Sequence, residues 1–269
     1  MSLDKPPVLS IRDASLTFGQ RTLWSGLDLD VAPGEFIAVL GPNGTGKTSL
    51  LKAVLGLQQL SSGRIELLGT AARRGDRRVG YIPQQKLLEQ GTPLRARDLV
   101  ALGVDGTRLG PPIPSRSTRA KVDEVLEAVG ATSYAKSPVA TLSGGEQQRV
   151  RIAQAIASDP SVLLCDEPLL SLDLAHQRSV SELINEQRKR LNTAVLFVTH
   201  DVNPILGMVD RVLYLAGGHF RIGTPAEVLR SDVLSELYGT PVDVFESHGR
   251  IVVIGGGEAE HAHFEEGGL

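Results

Sequence analysis

The stretch "EFIAVLGPNGTGKTSLLKAVLGL", residues 35–57, decides how this chain is read. It opens on "FIAVL", an apolar run of strand length that suits burial on both faces of a sheet. It closes on apolar residues at helical spacing, with Gly56 placed to end the helix. Between them, Gly41, Gly44, Gly46, Lys47 and Thr48 fill the pattern G-x-x-x-x-G-K-T. Strand before and helix after is the setting in which that pattern is a phosphate loop. Glycines let backbone N–H groups turn inward around phosphate oxygens, and the new helix adds its positive end. Lys47 is expected to reach the outer phosphates of a nucleotide and Thr48 to hold Mg²⁺. Pro42, Asn43, Thr45 and Ser49 complete the expected cradle.

Outward from this loop the chain alternates. "VLSIRDASLTF" (8–18) reads as an edge strand and "LDLDV" (27–31) as its neighbour, with "RIELLG" and "RVGYIP" as further short strands. The texture changes after Gln84. Residues 85–158 carry helical patterns and no convincing strand, so this block is expected to be a helical insertion. Within it, "VDEVLEAVG" places Val122, Val125, Leu126 and Val129 on one face, and Gly130 ends the helix. "GVDGTRLGPPIPSRS" (103–117) reads as a proline-rich surface loop. Strands return with "SVLLCDE" and "TAVLFVTH", joined by a helix over 172–191. That alternation implies parallel strands with crossover helices. After "RVLYLAGGHF" come short helices near 225–238, and "VDVFES", "HG" and "RIVVIGGG" read as a hairpin. The expected division is a main domain over 1–245, then the hairpin end and an acidic tail over 246–269.

Bulk properties narrow the function. At 269 residues the chain can bury a substantial α/β core. A formal net charge of −3 gives no global reason to expect nucleic acid as a partner. The single cysteine, Cys165, sits in an apolar run and is expected to be a small buried residue in a reducing compartment. The N-terminus lacks a charged-then-apolar leader, and no apolar run nears the roughly 20 residues that cross a bilayer. Any membrane role is therefore expected to come through a partner.

Further candidate chemistry lies at strand ends. "VLLCDEP" delivers Asp166 and Glu167 where open parallel sheets bind ligands. With the loop upstream, Asp166 is the expected Mg²⁺-side acid and Glu167 the group that polarises water. On its own such a pair also reads as a solvated turn. His200 ends "TAVLFVTH" and can either hold a phosphate and water in line or cap a turn. Gln84, after "VGYIP", can touch Mg²⁺ or water, and equally can be an ordinary residue at a strand end.

The second unusual stretch is "TLSGGEQQR", residues 141–149. A Ser-Gly-Gly ahead of a helix offers a hydroxyl, free amides and a helix dipole to an anion, or is a plain N-cap. Taken with "GPNGTGKT", "YIPQQ", "VLLCDEP", "SLD" and "FVTH", in that order and spacing, it makes the chain resemble the ATP-binding cassette (ABC) ATPases over about residues 8–245. The resemblance implies an α/β P-loop NTPase core with a mostly parallel sheet, an N-terminal antiparallel β subdomain and a helical insertion. It implies ATP and Mg²⁺ as ligands. It also implies that Ser143, Gly144 and Gly145 face ATP held by a second copy in a head-to-tail dimer. By resemblance Phe18 lies where an aromatic stacks on adenine, though it also reads as an edge-strand core residue. Ser171, Leu172 and Asp173 match the loop that links two such sites, though they also read as a helix N-cap. Glu146 stands where glutamine is common.

One ATPase domain without a membrane span resembles the ATPase subunit of a multi-subunit importer. The resemblance implies a separate integral membrane permease, an extracytoplasmic substrate-binding protein and a peripheral position on the cytoplasmic side of the membrane. The C-terminal third resembles the branch that imports zinc or manganese, with a siderophore, haem or another small solute as the alternative cargo. A soluble ABC ATPase of translation or DNA repair is the reading from another class. His261 and His263 in the tail, with nearby glutamates, can ligate a metal or bind nothing specific.

Overall fold

The structure, a computed structural model, describes residues 6–84, 94–106 and 115–255. In chain order the elements are β1 (Leu9–Phe18), β2 (Arg21–Val31), β3 (Phe36–Leu40), α1 (Lys47–Val54), β4 (Ser62–Leu67), β5 (Thr70–Ala71) and β6 (Val79–Ile82). The helical block follows as α2 (Ala96–Asp105), α3 (Arg116–Ala128) and α4 (Gly144–Ile156). Then come β7 (Val162–Asp166), α5 (Leu174–Leu191), β8 (Ala194–Val198), β9 (Arg211–Ala216) and β10 (His219–Gly223). The chain closes with α6 (Pro225–Val228), α7 (Ser231–Tyr238), β11 (Val242–Ser247) and β12 (Arg250–Gly255).

The central sheet has six strands in the order β10-β9-β3-β8-β7-β6, parallel throughout except for the β9–β10 hairpin. Its inner strands are buried on both faces, and their alternation assigns side chains to two layers. Phe36, Ala38 and Leu40 of β3 pack on one side with Leu163, Cys165, Val195 and Phe197 against the helical block and α5. Ile37 and Val39 face the other side, with Leu164, Leu196 and Val198, against α1 and the N-terminal sheet. Phe36 and Phe197 stack with ring centroids 5.6 Å apart and anchor the first layer. Cys165 is fully buried there, and burial with the Asp166 charge pushes its thiol well above the ordinary range.

The N-terminal sheet runs β2-β1-β4-β5, antiparallel. The edge position read for β1 is therefore corrected. β4 pairs along its second side, and the loose alternation reflects register shifts near Arg12–Ser15 rather than a free edge. Its buried residues Leu9, Ile11, Ala14 and Leu16 join the α1 layer. In the helical block, Val122, Val125 and Leu126 of α3 and Val129 at its C-cap are buried as the spacing predicts. Part of the 103–117 loop reading falls on α2, which continues through Asp105. Among the described residues of that block the only extended pairing is an isolated Arg95–Pro138 bridge. His261 and His263 lie outside the described residues.

Candidate functional site

The register of the parallel strands builds the site. Val39 of β3 aligns with Val198 of β8, which aligns with Asp166 of β7. The chain leaves all three strands at one level, so Gly41, Glu167 and His200 emerge side by side at their C-terminal ends. Gly46 enters α1 with φ 95°, and a Cβ there would meet Trp24 Nε1 at 2.9 Å. Only glycine accommodates both the left-handed backbone and that close approach. The indole Nε1 of Trp24 is buried and without a hydrogen-bond partner among the described residues.

Lys47 is 6% exposed, and its Nζ donates to the carbonyl oxygens of Gly41 (2.6 Å) and Pro42 (2.9 Å). Burial lowers its pKa, opposed by the charges of Glu167 and Asp166. Thr45 Oγ1 donates to Pro42 O, and Arg21 reaches across to Gly44 O at 3.1 Å. Thr48 Oγ1 donates to Asp166 Oδ1 at 2.9 Å, while Tyr81 donates to Asp166 Oδ2 at 3.3 Å. Burial and the Asp166 charge raise the Tyr81 phenol to about 12, so it stays a donor. Two hard oxygens, one from a buried carboxylate, thus sit beside a buried ammonium, a donor set that suits Mg²⁺ and phosphate.

Glu167 has φ 48°, a left-handed conformation that costs a non-glycine residue of order 1–3 kcal/mol. Its N–H donates to Val198 O, and its Oε2 lies 3.0 Å from His200 Nδ1. The bend aims a carboxylate that is 13% exposed back over the loop. Leu23, Asn43, Gly44, Gly46, Lys47, Thr48, Ser49, Gln84 and Glu167 line one cleft of about 280 Å³. Beside it, Pro42, Asn43 and His200 line a larger cavity of about 860 Å³. Phe18 lies outside that cleft lining, 49% exposed, and pairs in register with Arg21, the residue that holds Gly44 O.

The Ser-Gly-Gly turn is elsewhere. Ser143 caps α4 in a capping box: Glu146 N–H donates to Ser143 Oγ at 3.4 Å, and Glu146 Oε2 accepts from Ser143 N–H and hydroxyl, both at 2.8 Å. Those two bonds hold the Glu146 carboxyl below its ordinary pKa. Asp173 caps α5, taking the His176 N–H at 2.9 Å and lying 2.7 Å from His176 Nδ1. The His176 ring in turn covers Gly145, where a Cβ would meet its Cδ2 at 2.6 Å. So two helix starts, α4 and α5, are joined through His176. Ser143 and Gly144 are exposed, and neither lines the cleft around Lys47.

The structure thus brings Gly41–Ser49, Gln84, Asp166, Glu167 and His200 to one end of the sheet. It groups Ser143, Gly144, Gly145 and Asp173 in a second place. Tyr81, Arg21 and His176 escaped the sequence reading. For His176 a signal existed: its three-residue spacing from a capping Asp173 is one at which side chains meet.

Known proteins carry the same plan. Residues 24–170 match the ABC transporter family. The chain is 35% identical over 236 residues to the zinc import ATP-binding protein ZnuC of Chelativorans sp. (strain BNC1), covering 88% of this chain and 77% of the relative. It is 38% identical over 231 residues to the Fe(3+) ions import ATP-binding protein FbpC of Streptomyces avermitilis, covering 83% of this chain and 64% of that one. Its fold superposes on a metal-chelate type ABC transporter solved in an inward-facing conformation, with TM-score 0.78, 27% identity, and 93% and 96% of the two chains covered. The likeness spans the phosphate loop, the helical block and the sheet beyond it, and by it the chain belongs to the ABC transporter family as an ATP-hydrolysing importer subunit.

Proposed function

We propose that this ATPase drives import of a divalent metal ion, zinc or manganese, through a separate membrane permease, as one of two copies that share their ATP sites head to tail. The observation that carries the shared site is the placement of Ser143. It presents a capped helix start to solvent, and it is absent from the cleft its own Lys47 lines. A second copy supplies the phosphate that such a start recognises.

In this reading Lys47 and the loop amides hold the phosphates, and Phe18 covers the adenine. Thr48, Asp166 and Gln84 would hold Mg²⁺, which would supply positive charge to offset that of the phosphates. Glu167 accepts the proton of the attacking water, and His200 orients Glu167 and the terminal phosphate. Ser143, Gly144 and Gly145 close from the other copy, and Asp173 ties that turn to the α5 start. Closing on ATP and reopening after hydrolysis provide the stroke. A groove of about 450 Å³ between α2 and α3, lined by Arg95, Arg97, Asp98, Ala101, Arg119 and Val122, offers the permease a place to dock on the helical block. Among the described residues no helix is long and apolar enough to cross a membrane. In this proposal the subunit is peripheral, held on the cytoplasmic side by the permease. An extracytoplasmic binding protein would deliver the cargo, and nucleic acid has no place in this reading.

Zinc is favoured by the Chelativorans relative. The Fe(3+) relative supports a second reading, another metal or small solute on the same machine. The test is uptake of labelled zinc, manganese and iron by cells with the gene deleted and restored. Loss of zinc or manganese uptake, with the chain co-purifying with a polytopic membrane protein, supports the proposal. Unchanged metal uptake, or co-purification with ribosomes or DNA, refutes it.

A further inference from the structure

The β11–β12 hairpin packs one face inward and presents the other to solvent. Cross-strand partners share a face. Val242, Val244 and Ile251 pack toward the body of the protein, and Val253, on the same face but 39% exposed, lines the cavity beside them. Asp243, Phe245, Ser247 and, opposite them, Ile254, Val252 and Arg250 form the outer face. Phe245 is 54% exposed, Val252 46% and Ile254 54%. The three side chains are neighbours on one face, so they form a contiguous apolar patch rather than scattered exposure.

The edges of the hairpin are already occupied. Along β11, Val242 N–H donates to Ser235 Oγ and Val244 N–H to Ser231 Oγ, both from α7. Along β12, the Asn203 side chain takes the Ile251 N–H at 2.8 Å and donates to its carbonyl at 2.9 Å, as a neighbouring strand would. Side chains therefore protect the strand edges at these positions, and association by strand addition is blocked there. What stays open is the face.

Its charges are arranged for self-recognition. Arg250 lies at the turn end and Asp243 at the open end, both exposed, and neither has an ion-pair partner among the described residues. An isologous contact has a two-fold axis and matches each patch to itself. An axis passing over the Phe245–Val252 pair sets each Arg250 against the partner's Asp243. The chain beyond Gly255, "GGEAEHAHFEEGGL", carries four glutamates and only two large apolar residues, which makes it a poorer cover for this face.

We infer that the outer face of the β11–β12 hairpin is a self-association surface, on which a second copy docks without nucleotide, through apposed Phe245, Val252 and Ile254 flanked by reciprocal Arg250–Asp243 pairs. This contact goes beyond the shared ATP site and does not depend on it.

The test is sedimentation of the full chain without nucleotide over a range of concentrations. Wild type is expected to dimerise reversibly. Phe245→Glu, Asp243→Arg and Arg250→Asp should each weaken dimerisation at least tenfold while far-UV spectra stay unchanged. Mixing the Asp243→Arg and Arg250→Asp proteins should restore dimers, because only the mixed pair places opposite charges at both ends. A wild-type chain that stays monomeric at every concentration would overturn the proposal, as would a mixture no better than either variant alone. Dimers that appear only when the chain is cut after Gly255 would show the tail to be the occupant, and would overturn it too.

Discussion

His200 Nδ1 sits 3.0 Å from Glu167 Oε2, across the ends of two neighbouring parallel strands. The glutamate backbone is held left-handed and its N–H is fixed to Val198 O, so the carboxylate has little freedom except through the histidine. His200→Ala should lower ATP turnover by about 10²-fold or more, the scale of a misplaced general base. Nucleotide affinity, read from a fluorescent ATP analogue, should change little. An equal loss of affinity and turnover would place His200 in binding instead.

Lys47 is tethered by the Gly41 and Pro42 carbonyls, and burial lowers its pKa. A base with a lowered pKa keeps its charge below that value and loses it as pH rises through it. ATP affinity measured by calorimetry is therefore expected to be flat in the neutral range and to fall on the alkaline side, earlier than an ordinary lysine would dictate. Lys47→Met should weaken ATP binding at least tenfold and abolish that alkaline limb.

Gly145 is closed over by the His176 ring, which Asp173 holds at 2.7 Å. Gly145→Ala should impair ATPase turnover because the methyl must push the His176 ring out of the place Asp173 holds it in. Adding His176→Ala should recover part of the loss, a non-additivity expected of residues in contact. A double variant no better than Gly145→Ala alone would mean the ring is not the obstacle.

The Ser143–Glu146 box has an acid-side limit. Hydrogen bonds from Ser143 lower the Glu146 pKa. A depressed carboxyl contributes stability that is present above its unfolded value and lost as pH falls through the folded one. Ser143→Ala should cost about 1 kcal/mol. By calorimetry, the gap in melting temperature between wild type and Glu146→Ala should hold at neutral pH. It should close only below the ordinary glutamate value of about 4.3.

Phe36 and Phe197 carry the helical-side layer. Phe36→Ala should cost about 3–5 kcal/mol in urea unfolding, from lost burial plus the cavity left behind.

These features differ in how far the sequence exposed them. The loop at Gly41–Thr48 was legible because its spacing is fixed by phosphate geometry and its flanks by strand and helix periodicity. The buried strands β3, β7 and β8 were legible as short apolar runs, and α3 from its four-residue face. β1 reads as an edge because a bulged strand shows the same loose alternation as a one-sided one. β5, two exposed residues, and β10, only partly buried, carry no apolar run that would announce them. Tyr81, Asn203 and His176 act through contacts that the fold closes. The Asp166 contact of Tyr81 spans 85 residues, and the Ile251 contact of Asn203 spans 48. No local pattern carries either.

The shared ATP site is tested most directly by sedimentation of the Glu167→Gln chain with saturating Mg-ATP, on the Arg250→Asp background so that hairpin contacts do not contribute. A site shared between two copies gives dimers with ATP, monomers with ADP, and monomers again once Ser143→Arg is added. A chain that stays monomeric at saturating ATP, or an ATP dimer indifferent to Ser143→Arg, would contradict it.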